Sequence, residues 1–352
     1  MFDALLRNFR WHRTADRWGP RRLLVVDFAD EGAAAVVVGR SGTAVHCLRS
    51  ATLPALRLPE AVAGGAALAE LRRFAQDVQY VSALAAGEDS YVRLLNVPGR
   101  PGKAENVAQQ VRQTLGVDEQ FEVRHAVVRV QDGEGGGQFM VLAAAFRREG
   151  LEGLARAFGE AGFTPVSLSH RGVAAAGLAE ALVPDTGGGA SSGFLHVGSS
   201  FSMLLLYAEG ALAIARQFRL GTDLVVQSLM ESLNLDHDTA AKVLASGSVD
   251  VTANLSPAVK SWMHQIAISL DFMERRYGKR VETLHLLAGG AGARMLREIL
   301  AASINRAVEC PSAHASLAGI EFAGGTGLAD DACLLAVHEG RRIMQRGASH
   351  GL

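Results

Sequence analysis

The residues best placed for phosphate chemistry lie in two turns between buried strands. The first turn follows the apolar run Leu23–Val26 and begins at Asp27. The second follows a similar run and contains Gly198, Ser199 and Ser200. Small residues at such a turn let backbone N–H groups approach a phosphate closely. The sequence therefore predicts a binding site for a phosphorylated ligand at these turns.

These turns belong to two stretches that look like diverged copies of one pattern. Leu23–Val45 and Gly193–Ala215 each read as a buried strand, a small-residue turn, a second apolar strand, a glycine turn and a third strand. The repetition predicts two related halves that face each other across a cleft.

Composition excludes several classes of protein. The 352 residues are 49% hydrophobic, and Lys plus Arg number 35 against 36 for Asp plus Glu. The chain can thus form sizeable cores, and its balanced charge gives no general attraction to nucleic acid. Cys47, Cys310 and Cys333 lack metal-ligand spacing, so we predict reduced thiols and no zinc site.

The flanking segments give further expectations about organisation. Residues 1–22 carry six arginines and an apolar side that includes Phe2 and Phe9, so they form either an amphipathic helix for a membrane or partner, or a packed leader. No segment has the length and apolarity of a membrane span. The run Pro184–Ser192 is typical of a Gly/Ser hinge between two lobes.

Helical and strand periodicities outline the rest of the chain. Residues 80–148 read as strands, one helix and a hairpin whose tip is DGEGGG, which predicts a small inserted module. In the later half, Asp236 or Asp238 is expected to cap a helix. The longest helix is expected after Pro257, with Trp262, Ile266, Leu270 and Met273 on its buried face.

This order of elements resembles the actin-like ATPase fold. The match rests on the two turns, on LLAGGAG at Leu286–Gly292 and on the stretch ARQFRLGTDLVVQSLMESLNLDHDTAAKVL, which is similar to the PilM family of type IV pilus assembly proteins, relatives of FtsA. The resemblance implies an α/β, actin-like (ribonuclease H-like) bilobed fold with a small inserted α+β module. The implied parts are a basic leader at 1–22; a first lobe at 23–79 and 149–190 with a C-terminal helix at 328–346; the inserted module at 80–148; and a second lobe at 191–327.

The resemblance also implies roles for individual residues. Asp27 would help to organise Mg²⁺, Gly198, Ser199 and Ser200 would contact phosphate, and the glycines of LLAGGAG would contact adenosine. Those glycines are Gly289, Gly290 and Gly292. ATP and Mg²⁺ are the implied cofactors.

Several positions of the first turn depart from the family pattern. Ala29 replaces a glycine, Asp30 and Glu31 replace small hydroxyl residues, and Ala34 stands where the family has lysine. Two added carboxylates repel a polyphosphate by roughly 1 kcal/mol per charge pair in water and by more in a dry cleft. We therefore expect a poor phosphate cradle.

The second turn departs at its metal-binding position. His196 stands where the family has a second aspartate, and imidazole is a poor ligand for Mg²⁺. We expect His196 to be a structural replacement rather than a general base. Gln217, aligned with a family glutamate, and Asp27 are the catalytic candidates, although Gln217 also fits an ordinary strand position.

Together with these departures, the resemblance implies a scaffold with little or no ATP hydrolysis. Such a protein would lie at the cytoplasmic face of the inner membrane and bind the cytoplasmic tail of a PilN-like membrane protein, in a pilus or a type II secretion-like system. The tail is expected near Tyr80–Gly99 and Val123–Val130. Alternatives are an active ATP switch or ATPase of the same assembly, an actin-fold carbohydrate kinase, and an FtsA-like filament.

Overall fold

The computed structural model divides the chain into two compact units. The first comprises Met1–Leu178 with Leu317–Leu352, and the second comprises Ala179–Ser316. The structure describes residues 21–29, 32–42, 44–86, 90–99, 101, 104–131, 137–182, 191–246, 256–288, 293–311, 320–322 and 333–349. No helix in these ranges is both long and apolar enough to cross a membrane.

Several predicted features lie outside the described residues. They are most of the basic leader (1–20), Asp30 and Glu31 of the first turn, the loop residues 132–136, the hinge residues 183–190, and Gly289, Gly290 and Gly292 of the adenosine motif.

A six-stranded sheet organises the described part of the first unit. Its strands, numbered along the chain, are β1 Arg22–Ala29, β2 Gly32–Ser41, β3 Ala44–Leu53, β4 Tyr80–Ala85, β8 Thr164–His170 and β14 Ile320–Phe322. The spatial order is β14-β3-β2-β1-β4-β8. Strands β1, β2 and β3 form an antiparallel meander, and β1, β4 and β8 run parallel.

Helices cover both faces of this sheet, which explains why β1 and β2 are apolar without alternation. Leu24 and Val26 pack on one face with α1 Leu58–Ala63, α2 Ala66–Phe74 and α4 Arg148–Glu160. Leu23 and Val25 pack on the other face with α10 Leu334–Ser349. Helix α10 approaches closely because it has a glycine there: a Cβ on Gly340 would lie 2.8 Å from a methyl group of Val38.

The inserted module is a three-stranded antiparallel sheet with one helix. Its elements are β5 Ser90–Pro98, α3 Ala104–Leu115, β6 Phe121–Gln131 and β7 Gln138–Arg147, with the strand order β5-β7-β6. Val107 and Val111 of α3 pack with Val97, Phe139 and Val141 in a small core of the module.

Three predicted boundaries were wrong. The first lobe was expected to extend to residue 190, but the second compact unit begins at Ala179. Residues 80–85 were assigned to the module, but β4 pairs with both β1 and β8 and so lies inside the large sheet. Its side chains are almost all buried, as expected of a central parallel strand. Residues 320–322 were assigned to the second lobe, but β14 pairs with β3 at the edge of the first sheet.

The second unit repeats the meander of the first. Its strands are β9 Ser191–Val197, β10 Ser202–Ala208, β11 Ala211–Phe218, β12 Thr283–Ala288 and β13 Ala307–Glu309. The order β11-β10-β9-β12-β13 places a parallel strand beside β9, just as β4 lies beside β1. The predicted repetition is therefore confirmed at the level of strand pairing.

Four helices pack with this second sheet. They are α6 Thr222–Leu233, α7 His237–Ser246, α8 Pro257–Tyr277 and α9 Ala293–Ile304. Asp236 caps α7, since its Oδ1 accepts a hydrogen bond of 2.9 Å from the Thr239 backbone N–H. Trp262, Ile266, Leu270 and Met273 of α8 lie in the core, as their spacing predicted. Helix α5 Arg171–Leu182 follows β8 directly.

Candidate functional site

The sequence places Asp27 at the start of the first turn, but in the structure Asp27 is a residue of β1 and lies in a buried ion pair. Asp27 lies opposite Ala34 in the β1–β2 hairpin and is 2% exposed. The guanidinium of Arg171, the first residue of α5, places Nε 2.7 Å from Oδ1 of Asp27, and its Nη2 donates a hydrogen bond of 3.3 Å to Oδ2. Both carboxylate oxygens are thus engaged by one cation.

The electrostatics of this pair oppose a metal site. Burial raises the pKa of Asp27, while the charge and the hydrogen bond of Arg171 act in the opposite direction. A Mg²⁺ ion at Asp27 would have to displace Arg171 or lie beside its positive charge, and Mg²⁺ needs several oxygen ligands. Among the described residues no group of three or more His, Cys, Asp or Glu side chains is placed to bind a metal. The described residues of this turn therefore do not fit Mg²⁺.

His170 connects Arg171 to the inserted module. Its Nδ1 accepts a hydrogen bond of 2.9 Å from the Gly172 N–H, and its Nε2 lies 3.1 Å from Oγ of Ser90, the first residue of β5. Since a backbone N–H only donates, Nδ1 is the acceptor and Nε2 carries the proton. Burial, and then the charge of Arg171, lower the pKa of His170 to about 3. The imidazole is therefore neutral and bridges the module and the first sheet.

The second turn is held by backbone hydrogen bonds. The N–H of Gly198 donates to the Phe201 carbonyl at 2.8 Å, which closes the turn. The N–H groups of Thr222 and Asp223, at the start of α6, each donate at 3.0 Å to the carbonyls of Gly198 and Ser199. The turn thus satisfies donors that the first residues of a helix otherwise leave unpaired.

Gly221 permits this contact between turn and helix. A Cβ on Gly221 would lie 2.2 Å from the carbonyl oxygens of both Gly198 and Ser199. No heavier residue fits there unless the turn moves. Ser202, which is fully buried, also donates its hydroxyl to the Leu220 carbonyl on the same side.

His196 and Gln217 do not form a catalytic pair. Met203 of β10 is the cross-strand partner of both, of His196 in β9 and of Gln217 in β11. Directly paired residues share a face of the sheet, so the two polar side chains are two strand spacings apart, roughly 10 Å, with the fully buried Met203 between them. His196 is 6% exposed, and its ring lies 6.1 Å from that of Phe201.

Of the predicted adenosine motif, the structure describes only its strand. Leu286, Leu287 and Ala288 form the carboxyl end of β12, beside Leu195, His196 and Val197 of β9. The three glycines lie outside the described residues.

A second region of interest lies where the module meets the first sheet. A small cavity of about 20 Å³ is lined by Glu122, Arg124, Ala144, Phe146, Leu151, Leu168 and His170. Glu122 makes ion pairs with Arg124 and, at 2.8 Å, with Arg148. A cavity of this size holds about one water molecule. It lies beside the strand β6 segment at which the partner tail was expected.

The local sequence patterns do not point to the residues that make the main contacts next to the two turns. These residues are Arg171, His170, Ser90 and Gly221. One signal was available: the adjacent His170 and Arg171 are polar residues at the junction between a buried strand and an Ala-rich helix, where ordinary packing favours apolar residues.

The architecture, two units with repeated meanders and parallel neighbouring strands, is that of the actin-like ATPase fold. The chain is similar to a chain of a PilM–PilN type IV pilus biogenesis complex, with a TM-score of 0.65, 20% identity and coverage of 94% of this chain and 98% of that one. Weaker similarities include a protein of Bacteroides thetaiotaomicron with an actin-like ATPase fold and unknown function (TM-score 0.45, 10% identity, 83% and 91% coverage). Another is the cytoplasmic domain of EpsL, an inner-membrane component of the type II secretion system of Vibrio cholerae (TM-score 0.41, 13% identity, 90% and 94% coverage).

Comparison with protein-family models and with curated proteins found no match. The structural similarity at 20% identity identifies the fold, and the chemistry has to be argued from this chain's own residues.

Proposed function

We propose that this chain is an actin-like scaffold of a type IV pilus or type II secretion-like assembly. It binds the cytoplasmic tail of a PilN-like membrane protein at the inner face of the inner membrane and does not hydrolyse ATP. The proposed lack of ATP hydrolysis rests on the buried ion pair between Asp27 and Arg171. Because Arg171 engages Asp27, the predicted Mg²⁺ ligand is not free to bind the metal.

The second turn supports the same conclusion about catalysis. His196 is packed within the sheet, and Gln217 is separated from it by Met203. Hydrolysis of ATP needs a metal to neutralise the phosphates and a group that orients the attacking water. Neither the described residues of the first turn nor this pair supply such an arrangement.

The module exposes a large apolar side chain within the segment at which the partner tail is expected. Val130 of β6 pairs with Phe139 of β7, so it lies on the sheet face that packs with α3. Phe139 is fully buried in that core, whereas Val130, near the end of β6, is 49% exposed. An exposed apolar side chain at the margin of an apolar sheet face is a suitable anchor for a peptide.

Calorimetry with ATP and Mg²⁺ tests the nucleotide part of the proposal. We expect no binding heat and no phosphate release from the full chain. Micromolar binding of Mg-ATP that is lost in Asp27→Asn would refute it and would favour the alternative of an active switch.

A peptide titration tests the partner part independently. We expect the amino-terminal peptide of a PilN-like protein to bind the full chain, and Val130→Asp to weaken that binding by about tenfold through the cost of placing a charge in an apolar contact. The matched control is Leu233→Asp, since Leu233 of α6 is similarly apolar and 37% exposed. Equal loss in both variants, or no binding of the peptide, would refute this assignment.

A further inference from the structure

Helix α8 carries apolar and basic side chains on one exposed stripe. Ile268 and Phe272 are 36% and 51% exposed, although both are large and apolar. Arg275 follows at helical spacing and is exposed, so it lies on the same face. The opposite face of α8 lies in the core of the second unit. We refer to this exposed face as the α8 stripe; it consists of Ile268, Phe272, Arg275 and Arg276.

One arginine pairs with the two acidic residues next to the stripe. Arg306, which precedes β13, lies 3.7 Å from Asp271 and 3.1 Å from Glu274, so it offsets one of their two negative charges. Within the described ranges, Arg275 and Arg276 form no ion pair. Their two positive charges exceed the remaining negative charge, so the net charge at the stripe is positive.

A polar groove continues from the carboxyl end of α8. Its volume is about 360 Å³, and its lining combines two cations with hydroxyl groups and one carboxylate: Ser191, Ser192, Lys279, Arg280, Glu282, Thr283 and His285. Glu282 lies 3.7 Å from Arg280, which offsets its charge. Ammonium, guanidinium and hydroxyl donors together suit the oxygens of a phosphate group.

We propose that the α8 stripe binds the surface of a bilayer that contains anionic phospholipids. Phe272 and Ile268 enter the boundary between head groups and acyl chains, Arg275 and Arg276 contact head groups, and the groove beside Lys279 receives a lipid phosphate. Apolar and basic side chains on a single helix face are the pattern of surface-bound helices. An acidic peptide would use the cations but would leave Phe272 and Ile268 exposed. This inference does not depend on the proposed partner or on the nucleotide site.

Vesicle co-sedimentation of the full chain tests the inference. We expect binding to vesicles that contain phosphatidylglycerol, much weaker binding to pure phosphatidylcholine, and a decrease as salt is raised. Each arginine near an anionic surface contributes about a fivefold gain in affinity. The double variant R275E/R276E is therefore expected to lose at least about 25-fold, and Phe272→Ser about tenfold.

Matched variants away from the stripe serve as controls. R73E/R156E changes the net charge by the same amount at two exposed helix positions, and Leu233→Ser removes an exposed apolar side chain of α6. Both are expected to bind vesicles like the parent chain. The inference is wrong if R275E/R276E still binds, if R73E/R156E loses as much, if neutral vesicles bind equally, or if an acidic peptide binds the stripe while vesicles do not. Circular dichroism of each variant checks that the fold is retained.

Discussion

The two β-meanders share a topology but differ in the interactions made next to their first turns. In the first unit, two side chains from distant parts of the chain, Asp27 and Arg171, meet in a buried ion pair. In the second, backbone groups of Gly198 and Ser199 bond to the start of α6. A contact made by backbone groups tolerates many side chains, whereas a buried charge pair depends on both partners. The same strand topology is therefore kept in both units while the interactions beside its first turn differ.

The largest effect on stability is expected when one charge of the buried Asp27–Arg171 pair is removed. Arg171→Met leaves Asp27 buried and unpaired, so we expect a loss of about 3–5 kcal/mol in the free energy of unfolding. The double variant Asp27→Val/Arg171→Met replaces the pair by apolar groups and should recover most of that loss. Chemical denaturation of the three proteins measures both effects. Equal stability of parent and Arg171→Met would show that the ion pair does not stabilise the first unit.

The next test disrupts the backbone contact of the second turn. Gly221→Ala places a methyl group against two carbonyl oxygens, and we expect a loss of about 2–3 kcal/mol. The control is Gly159→Ala in α4, where a Cβ meets nothing within 4 Å; higher helix propensity should stabilise it by about 0.5–1 kcal/mol. Hydrogen exchange at the Thr222 and Asp223 amides localises the damage. Unchanged exchange there in Gly221→Ala would contradict the assigned contact.

A pH titration separates the neutral bridge at His170 from the charged pair beside it. The pKa of His170 is about 3 in the folded chain, below the ordinary 6.5, so the unfolded state binds the proton more readily. The contribution of His170 is complete above pH about 6.5 and falls by about 1.4 kcal/mol per unit as pH drops towards 3. His170→Gln keeps a hydrogen-bonding side chain and should lack this slope. If parent and variant show the same pH dependence, the histidine is not buried in its neutral form.

The smallest effect is expected at Ser202. Ser202→Ala removes the hydroxyl that donates to the Leu220 carbonyl and should cost about 1 kcal/mol. Because Thr222 and Asp223 still donate to the turn, its shape should persist. A loss as large as that of Gly221→Ala would show that the side chain, rather than the backbone, holds the second turn.

The sequence predicted those parts of the fold that depend on local patterns. The two meanders, the capped start of α7 and the buried face of α8 followed from periodicity and from residues close together in the chain. Strand β4 was placed wrongly because a short apolar run reads alike in an inserted module and at the centre of a parallel sheet. These two positions can be distinguished only when the partner strands are known.

The candidate site was predicted only in part, because its decisive contacts are distant in sequence. Asp27 and Arg171 are 144 residues apart, and Ser90 and His170 are 80 apart. Local spacing identified Asp27 as a candidate but carried no information about the cation that neutralises it. Likewise, the role of Gly221 depends on the direction of two carbonyl groups in another loop, which residue types alone do not specify.

The packing of α10 against β1 and β2 has a consequence for the order of folding during synthesis. Leu23 and Val25 share a core with Val337 and Met344, so one face of the first sheet stays uncovered until more than 300 residues of chain have emerged. The second unit is a single continuous segment, from Ala179 to Ser316, and its strands and helices are complete before α10 is made. We therefore expect the second unit to fold first on the ribosome. The first sheet is expected to complete its packing only after α10 has been synthesised.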